Sequence, residues 1–206
     1  MTRRLLHDRR GASAAEFALL LPLLILLLFG MIDVGRFMWQ WNAAEKAAQA
    51  GVRFAAVTDV VSTGLGTFSF VGTNGLTQGD VIPPDAIAPV LCTDNGTTAT
   101  CTCTTSGTSI CPAGYAIGNH IAFQNIVNRM KQIDGLIKTA DVKIEYRGSG
   151  LGYAGDPNGM DIAPLVRVMI DKIDLSTLSS MTIMSTSIKN ISATMTAEDS
   201  SGNVSN

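Results

Sequence analysis

The sequence predicts an α+β protein. A long N-terminal helix spans a membrane and continues as a stalk, and an antiparallel β-sheet of at least three strands with one further helix follows. Three observations carry this reading. An uncharged, Leu-rich run extends from Phe17 to Ile32, an Ala-rich stretch follows it, and three segments of alternating apolar and polar residues lie in the C-terminal third. The 206 residues divide accordingly into a basic leader (1–11), a membrane and stalk helix (12–57), a Thr/Ser/Gly-rich region that holds every cysteine (58–118) and an extracytoplasmic α+β region (119–206).

The helix follows from charge and hydropathy. Phe17–Ile32 are 16 consecutive uncharged positions, and counting from Gly11 extends the apolar stretch to 22 residues interrupted only by Glu16. A bilayer span takes about 20 residues. Arg3, Arg4, Arg9 and Arg10 precede the run and no such cluster follows it. That asymmetry predicts the N-terminus in the cytoplasm and the remainder outside. A secretory signal peptide would have an apolar core of about 7–15 residues and a small-x-small cleavage site. Here the run is longer and ends Phe29-Gly30-Met31-Ile32-Asp33. Pro22 predicts a bend near residues 18–22, tolerated in a membrane span.

Beyond Ile32 the helical character persists. Ala43, Ala47, Gly51 and Ala55 recur every four residues and line one narrow face, where small side chains allow close helix packing. Either other helices of the same kind or the protein's own globular part can meet that face. Glu45 and Lys46 mark a wetter side, and Trp39 and Trp41 suit the membrane–water boundary. A helix over residues 12–57 would be about 68 Å long at the usual rise.

Glu16 does not belong in a simple anchor, because a carboxylate beside an apolar core costs on the order of a few kcal/mol in hydrocarbon. Cutting the chain after Gly11 would make Ala12 the new N-terminus and Glu16 the fifth residue. The new α-amino group and the Glu16 carboxylate could then neutralise each other, within one chain or between neighbouring subunits. Arg9-Arg10-Gly11-Ala12-Ser13-Ala14-Ala15-Glu16-Phe17, with Pro22, Gly30-Met31-Ile32-Asp33-Val34-Gly35-Arg36 and the Ala-rich continuation to Gly51-Val52-Arg53, resembles the TadE-like family of minor pilins or pseudopilins of the tight-adherence (Tad/Flp) pilus. The resemblance covers residues 8–57. It implies removal of the leader between Gly11 and Ala12 by a prepilin peptidase. It also implies subunit registration through Glu16 and Phe17, and partners among other Tad pilins, pseudopilins and the assembly platform. Phe17 stands where major Flp pilins usually carry Tyr.

The middle region is sparsely charged: Val60–Asn128 holds only Asp80, Asp85 and Asp94 as formal charges. Pro83-Pro84 breaks any regular element, Phe68–Val71 suggests a short strand, and the rest reads as turn-rich loop. Cys92, Cys101, Cys103 and Cys111 are spaced C-x8-C-x-C-x7-C, which does not suit a structural zinc site. Outside the cytoplasm disulfides are expected. A Cys101–Cys103 bridge would close a strained ring, so two pairings remain: 92–101 with 103–111, or 92–103 with 101–111. The C-terminal region predicts a helix over 119–137 with Ile121, Ile126, Met130, Ile133 and Ile137 near one face. Strands are predicted at Asp141–Tyr146, Leu165–Asp171 and Asn190–Ala197, with a turn at Asp156–Gly159.

The composition narrows the function classes. The net charge of −2 combines +3 in residues 1–10 with −5 elsewhere, too little positive charge for a nucleic-acid binder. His7 and His120 are the only histidines, so a His-rich metal site is excluded. Asp156, Asp161, Asp171 and Asp174 lack calcium-loop spacing, and no catalytic motif is present. The sequence therefore reads as a non-enzymatic, cofactor-free, membrane-anchored pilin-like subunit in contact with inner-membrane lipid. The competing readings are an unprocessed anchor carrying a binding module that does not polymerise, and an exported enzyme whose one ordinary acid–base side chain outside the leader is His120.

Overall fold

The computed structural model describes residues 12–157, 159–175, 186–198 and 200; Gly11, the leader arginines, His7 and Asn158 of the predicted turn lie outside the described residues. The chain divides into two compact units, residues 1–40 with 175–186 and residues 41–174 with 187–206. Helix α1 (Ala12–Ala55) runs through Pro22 and ends two residues before the predicted boundary. Leu and Ala, which dominate it, are among the best helix formers. At its end Thr58 donates through Oγ1 to the Phe54 carbonyl at 2.8 Å, satisfying one of the carbonyls that a helix terminus leaves open. In the first unit, α1 is solvent-facing on nearly every side.

The second unit is built on a five-stranded antiparallel sheet of order β2-β1-β3-β4-β5. The strands are β1 (Val90–Asp94), β2 (Ala99–Cys103), β3 (Val142–Arg147), β4 (Leu165–Leu175) and β5 (Thr186–Thr196). A tight hairpin joins β1 to β2. In its turn the Asn95 side chain accepts hydrogen bonds from the Thr97 and Thr98 amides at 2.9 Å, a local bond that Asn supplies readily. The register stacks Val90, Tyr146 and Val166 in one row, and Cys92, Ile144 and Val168 in the next. All six are fully buried, so one face of the sheet is the core. The opposite face carries Lys143–Asp171 at 2.5 Å and Arg147–Glu145 at 2.8 Å. The period-2 pattern of the sequence has these two faces as its cause. It slips once in β5, where Asn190 has φ 60° and the buried Ile188 and Ile191 stand three apart. Asn tolerates that left-handed conformation better than most residues.

Two helices cover the core face. Residues 41–55 of α1 contribute Ala44, Ala47, Ala48, Val52 and Ala55, and α3 (His120–Lys131) contributes Ala122, Phe123, Ile126, Val127 and Met130. Gly51 lies where they converge on the sheet. A Cβ there would sit 2.7 Å from Met130 Cγ and 3.5 Å from Val168 Cγ1. Asn119 caps α3, accepting from the Ala122 amide at 3.1 Å, the interaction for which Asn is favoured at this position.

Four expectations need correction. Phe68–Val71 is not a strand: the Phe70 amide donates to the Asp161 carboxylate at 2.7 Å instead of to a neighbouring strand, and its ring packs edge-to-face on Phe68. The predicted 119–137 helix ends at Lys131, where the Ile133 and Asp134 amides both turn back to the Met130 carbonyl. Its buried face is also rotated from the one read in the sequence, since Ile121 and Ile133 are exposed. Region 58–118 is not only loop, because it contains β1, β2 and a short helix α2 (Thr63–Thr67).

The loops around the sheet are tied by a few buried polar groups. Tyr146 Oη accepts the Val61 amide at 2.9 Å, while the Val61 carbonyl accepts from the Asn119 amide at 2.7 Å. Tyr146 is fully buried, and loss of solvation pushes its hydroxyl well above the ordinary tyrosine range. The phenol is therefore a neutral hydrogen-bonding group at all working pH values. Tyr146→Phe leaves the buried Val61 N–H without a partner, and is expected to cost about 1–3 kcal/mol. Chemical unfolding of the full chain in detergent measures this; an unchanged midpoint would show that the tie carries no stability.

Candidate functional site

The part of the chain with unmet physical demands is the N-terminal half of α1. Leu19, Leu20, Leu23, Leu24, Leu26 and Leu27 are each more than half exposed. None of the most apolar 18-residue window is buried. Burying one such side chain is worth about 1.5–3 kcal/mol, so a bare surface of this kind requires a covering of lipid or of other apolar helices. By length and composition the helix is a candidate membrane span. Glu16 and Phe17 are both exposed, Phe17 at 58%. Ala12 is the first helical residue, and positions four apart lie one above the other on one face. Ala12 and Glu16 are therefore neighbours along the first turn. The Gly11 side of the Gly11–Ala12 bond lies outside the described residues.

The small-residue stripe has a different environment. Ala47, Gly51 and Ala55 are buried and Ala43 is half-buried. Gly51 packs against Met130 of α3 and Val168 of β4, so the protein's own globular part meets the stripe here. Trp41 is at the margin of this packing and donates through Nε1 to Glu45 at 2.7 Å, while Trp39 is 71% exposed.

All four cysteines are paired, Cys92 with Cys101 and Cys103 with Cys111. The register decides between the two pairings the spacing leaves open, because Cys92 and Cys101 are directly opposed on β1 and β2. The second bridge draws the chain after β2 back to the strand's end. On the other side of β2 the Cys101 amide donates to the Ala116 carbonyl at 3.2 Å, so segment 115–118 covers that edge.

Sequence reasoning did not anticipate the partner of His120. Its Nδ1 lies 2.6 Å from Oδ2 of Asp94, whose carboxylate is fully buried. Asp94 also accepts from the Gly96 amide at 2.6 Å and from Gln124 Nε2 at 3.3 Å. The carboxylate thus clamps the hairpin turn to the start of α3. Only the alternation of β1, which places residue 94 on the core side, could have signalled it. Among the described residues no serine, threonine or cysteine side chain bonds to His120.

The C-terminal aspartates have separate tasks. Asp161 accepts from the amides of Phe70, Gly155 and Asp156 at 2.7, 2.9 and 3.2 Å. Asp174 pairs with Lys172 at 3.0 Å and Lys138 at 3.3 Å. The Lys172 ammonium, with Lys138 assisting, holds the Asp174 carboxyl below the usual carboxylate range. Among the described residues no group of three or more His, Cys, Asp or Glu could hold a metal ion.

Comparison with known proteins agrees with the resemblance read from the leader and stalk. Residues 11–53 match the family model described as TadE-like protein, about a fifth of the chain. No curated protein and no solved structure is significantly similar to it. The match covers the exposed apolar helix and most of the buried stripe, and stops before the sheet.

Non-reducing peptide mapping is expected to recover the 92–101 and 103–111 pairs; 92–103 with 101–111 would contradict the β1–β2 register. Replacing Cys103 and Cys111 by Ala is expected to lower stability by about 2–3 kcal/mol, from loop-closure entropy for so short a ring. Chemical unfolding under oxidising conditions measures it.

Proposed function

Because residues 11–53 form a TadE-like segment, we propose that the chain is a membrane-anchored minor pilin or pseudopilin. It acts in the initiation, assembly or regulation of a Tad/Flp-type pilus used in surface adhesion. The observation that supports this best is α1, which places an exposed carboxylate, Glu16, one turn from Ala12 at the head of an uncovered apolar helix. In this reading the helix is stored in the inner membrane, with the leader in the cytoplasm and the sheet unit in the periplasm. A prepilin peptidase cuts between Gly11 and Ala12. The released amino group is then neutralised by Glu16 of a neighbouring subunit, which fixes axial register, and Phe17 packs beside it. Lipid around the Leu-rich surface is exchanged for helices of other pilins at the assembly platform. The chain performs no chemistry of its own and needs no cofactor.

Intact mass and N-terminal sequencing of the protein from its native membrane are expected to show a chain beginning at Ala12. Gly11→Trp is expected to leave the leader attached. Glu16→Leu is expected to preserve membrane insertion and to abolish surface pili. An uncut chain, with pili unaffected by Glu16→Leu, would mean that the protein is an anchored binding module that does not polymerise.

A further inference from the structure

A groove of about 450 Å³ runs between α1 and α3. Its lining combines the apolar Ala50 and Phe54 of α1 and Ile133 just past α3 with the cations Lys46, Arg53 and Arg129, and with Gln49 between Lys46 and Arg53 on α1. Ile133 is 44% exposed. No carboxylate lines the groove. Among the described residues none of the three cations forms an ion pair; Arg129 donates only to the neutral Gln132 at 2.9 Å. This concentration of positive charge occurs in a chain whose residues beyond the leader sum to −5.

A blander explanation covers part of the pattern. Cations in the last turn of a helix complement its dipole, which accounts for Arg53 and Arg129. It does not account for Lys46, more than two turns before the end of α1, or for the exposed apolar side chain of Ile133 beside the charges. The close approach of Gly51 to Met130 holds the two helices together beneath this surface, so the groove is preorganised.

We propose that the groove docks an acidic amphipathic helix of a partner protein. Lys46 and Arg53 are seven residues apart, two turns on one face and about 10 Å along the axis. A helix with carboxylates at the same spacing meets both, with an apolar residue between them resting on Phe54 and Ile133 and Arg129 closing the far side. Exposed ion pairs alone are weak and screened by salt. The apolar contact supplies affinity and the cations select the partner, the usual division in helix-in-groove recognition.

The test is fluorescence anisotropy with the full chain in neutral detergent. The probe is a labelled helical peptide with Glu at positions seven apart flanking Leu; the controls are its Gln-for-Glu counterpart and polyglutamate. The Glu peptide is expected to bind, and both controls to bind at least tenfold more weakly. Lys46→Glu and Arg129→Glu, both at exposed positions, are each expected to weaken the Glu peptide at least tenfold. A Lys-for-Glu peptide is expected to regain binding to the double variant. The proposal is overturned if the Glu peptide does not bind, if polyglutamate binds as well, or if the substitutions leave the affinity unchanged. It is equally overturned if the three cations instead direct the chain to phosphatidylglycerol vesicles while the peptide is ignored. Leader cleavage and the role of Glu16 play no part in this measurement, so failure here leaves the pilus reading standing.

Discussion

The smallest side chains in α1 set how close that helix can lie to the sheet. At Gly51 there is no room for a Cβ before Met130 moves, and Ala44, Ala47, Ala48 and Ala55 around it are all buried. Small residues forgo much of the apolar area that Leu would bury, but they let the backbone approach closely, and larger side chains from the opposite surface fill the space. Here Met130 and Val168 supply that volume at Gly51. The same helix therefore follows two rules along its length. Bulky Leu faces outward in the first unit, where it stays exposed, and small residues face inward in the second, where the chain covers itself.

The loops of the second unit bury apolar side chains such as Val61, Leu65, Phe70 and Ile82, and polar ties fix their backbone. Asp161 gathers the backbone of two separate loops through three amides. Gly152, at φ 119°, brings the second of these loops against the Asp161–Ile162 backbone, where a Cβ would collide. Tyr146 reaches from the middle of the sheet to Val61, and Val61 in turn to Asn119. Asp94 joins the hairpin turn to α3. Buried polar groups that are fully partnered specify a unique arrangement, which a Thr/Ser/Gly-rich chain could not obtain from hydrophobic packing alone. Among the described residues the exception is Glu145 Oε2, which is buried without a hydrogen bond; the Arg167 guanidinium lies 3.9 Å from it, and Arg147 holds the other oxygen, Oε1, at 2.8 Å.

The legible parts of the sequence were those with one dominant period. α1 follows from an unbroken apolar run and repeated Ala, β3 from strict alternation and β4 from a mostly alternating stretch. β5 was recognisable despite its slip at Asn190. The features that stayed hidden depend on distant partners. Phe68–Val71 has strand-like composition, yet its backbone bonds to Asp161, 91 residues away. The strands β1 and β2 are rich in Thr and Cys, and a Thr-rich stretch between turn residues looks like loop until a partner strand is known. Across the predicted 119–137 helix the apolar residues span more than one face, so Ile121 and Ile133 were as plausible core positions as Phe123 and Val127. At the candidate site, the placement of Glu16 and Phe17 one turn after Ala12 was readable because neighbours in sequence are neighbours in the helix. The groove beside Lys46 was not, since Arg129 joins it from another helix.

The two disulfides link residues only 9 and 8 positions apart. Each ring closes within its own stretch of chain, and both are complete in sequence before residue 112. In the proposed orientation, with the chain exported from the N-terminus onward, both thiol pairs become available to an oxidant before α3 or β3–β5 have crossed. The hairpin can be locked early and serve as a template, with β3 adding later to the free side of β1. A mispaired bridge would have to bypass a nearer partner in the same hairpin. The local spacing thus makes oxidative maturation independent of the order in which the remaining sheet assembles.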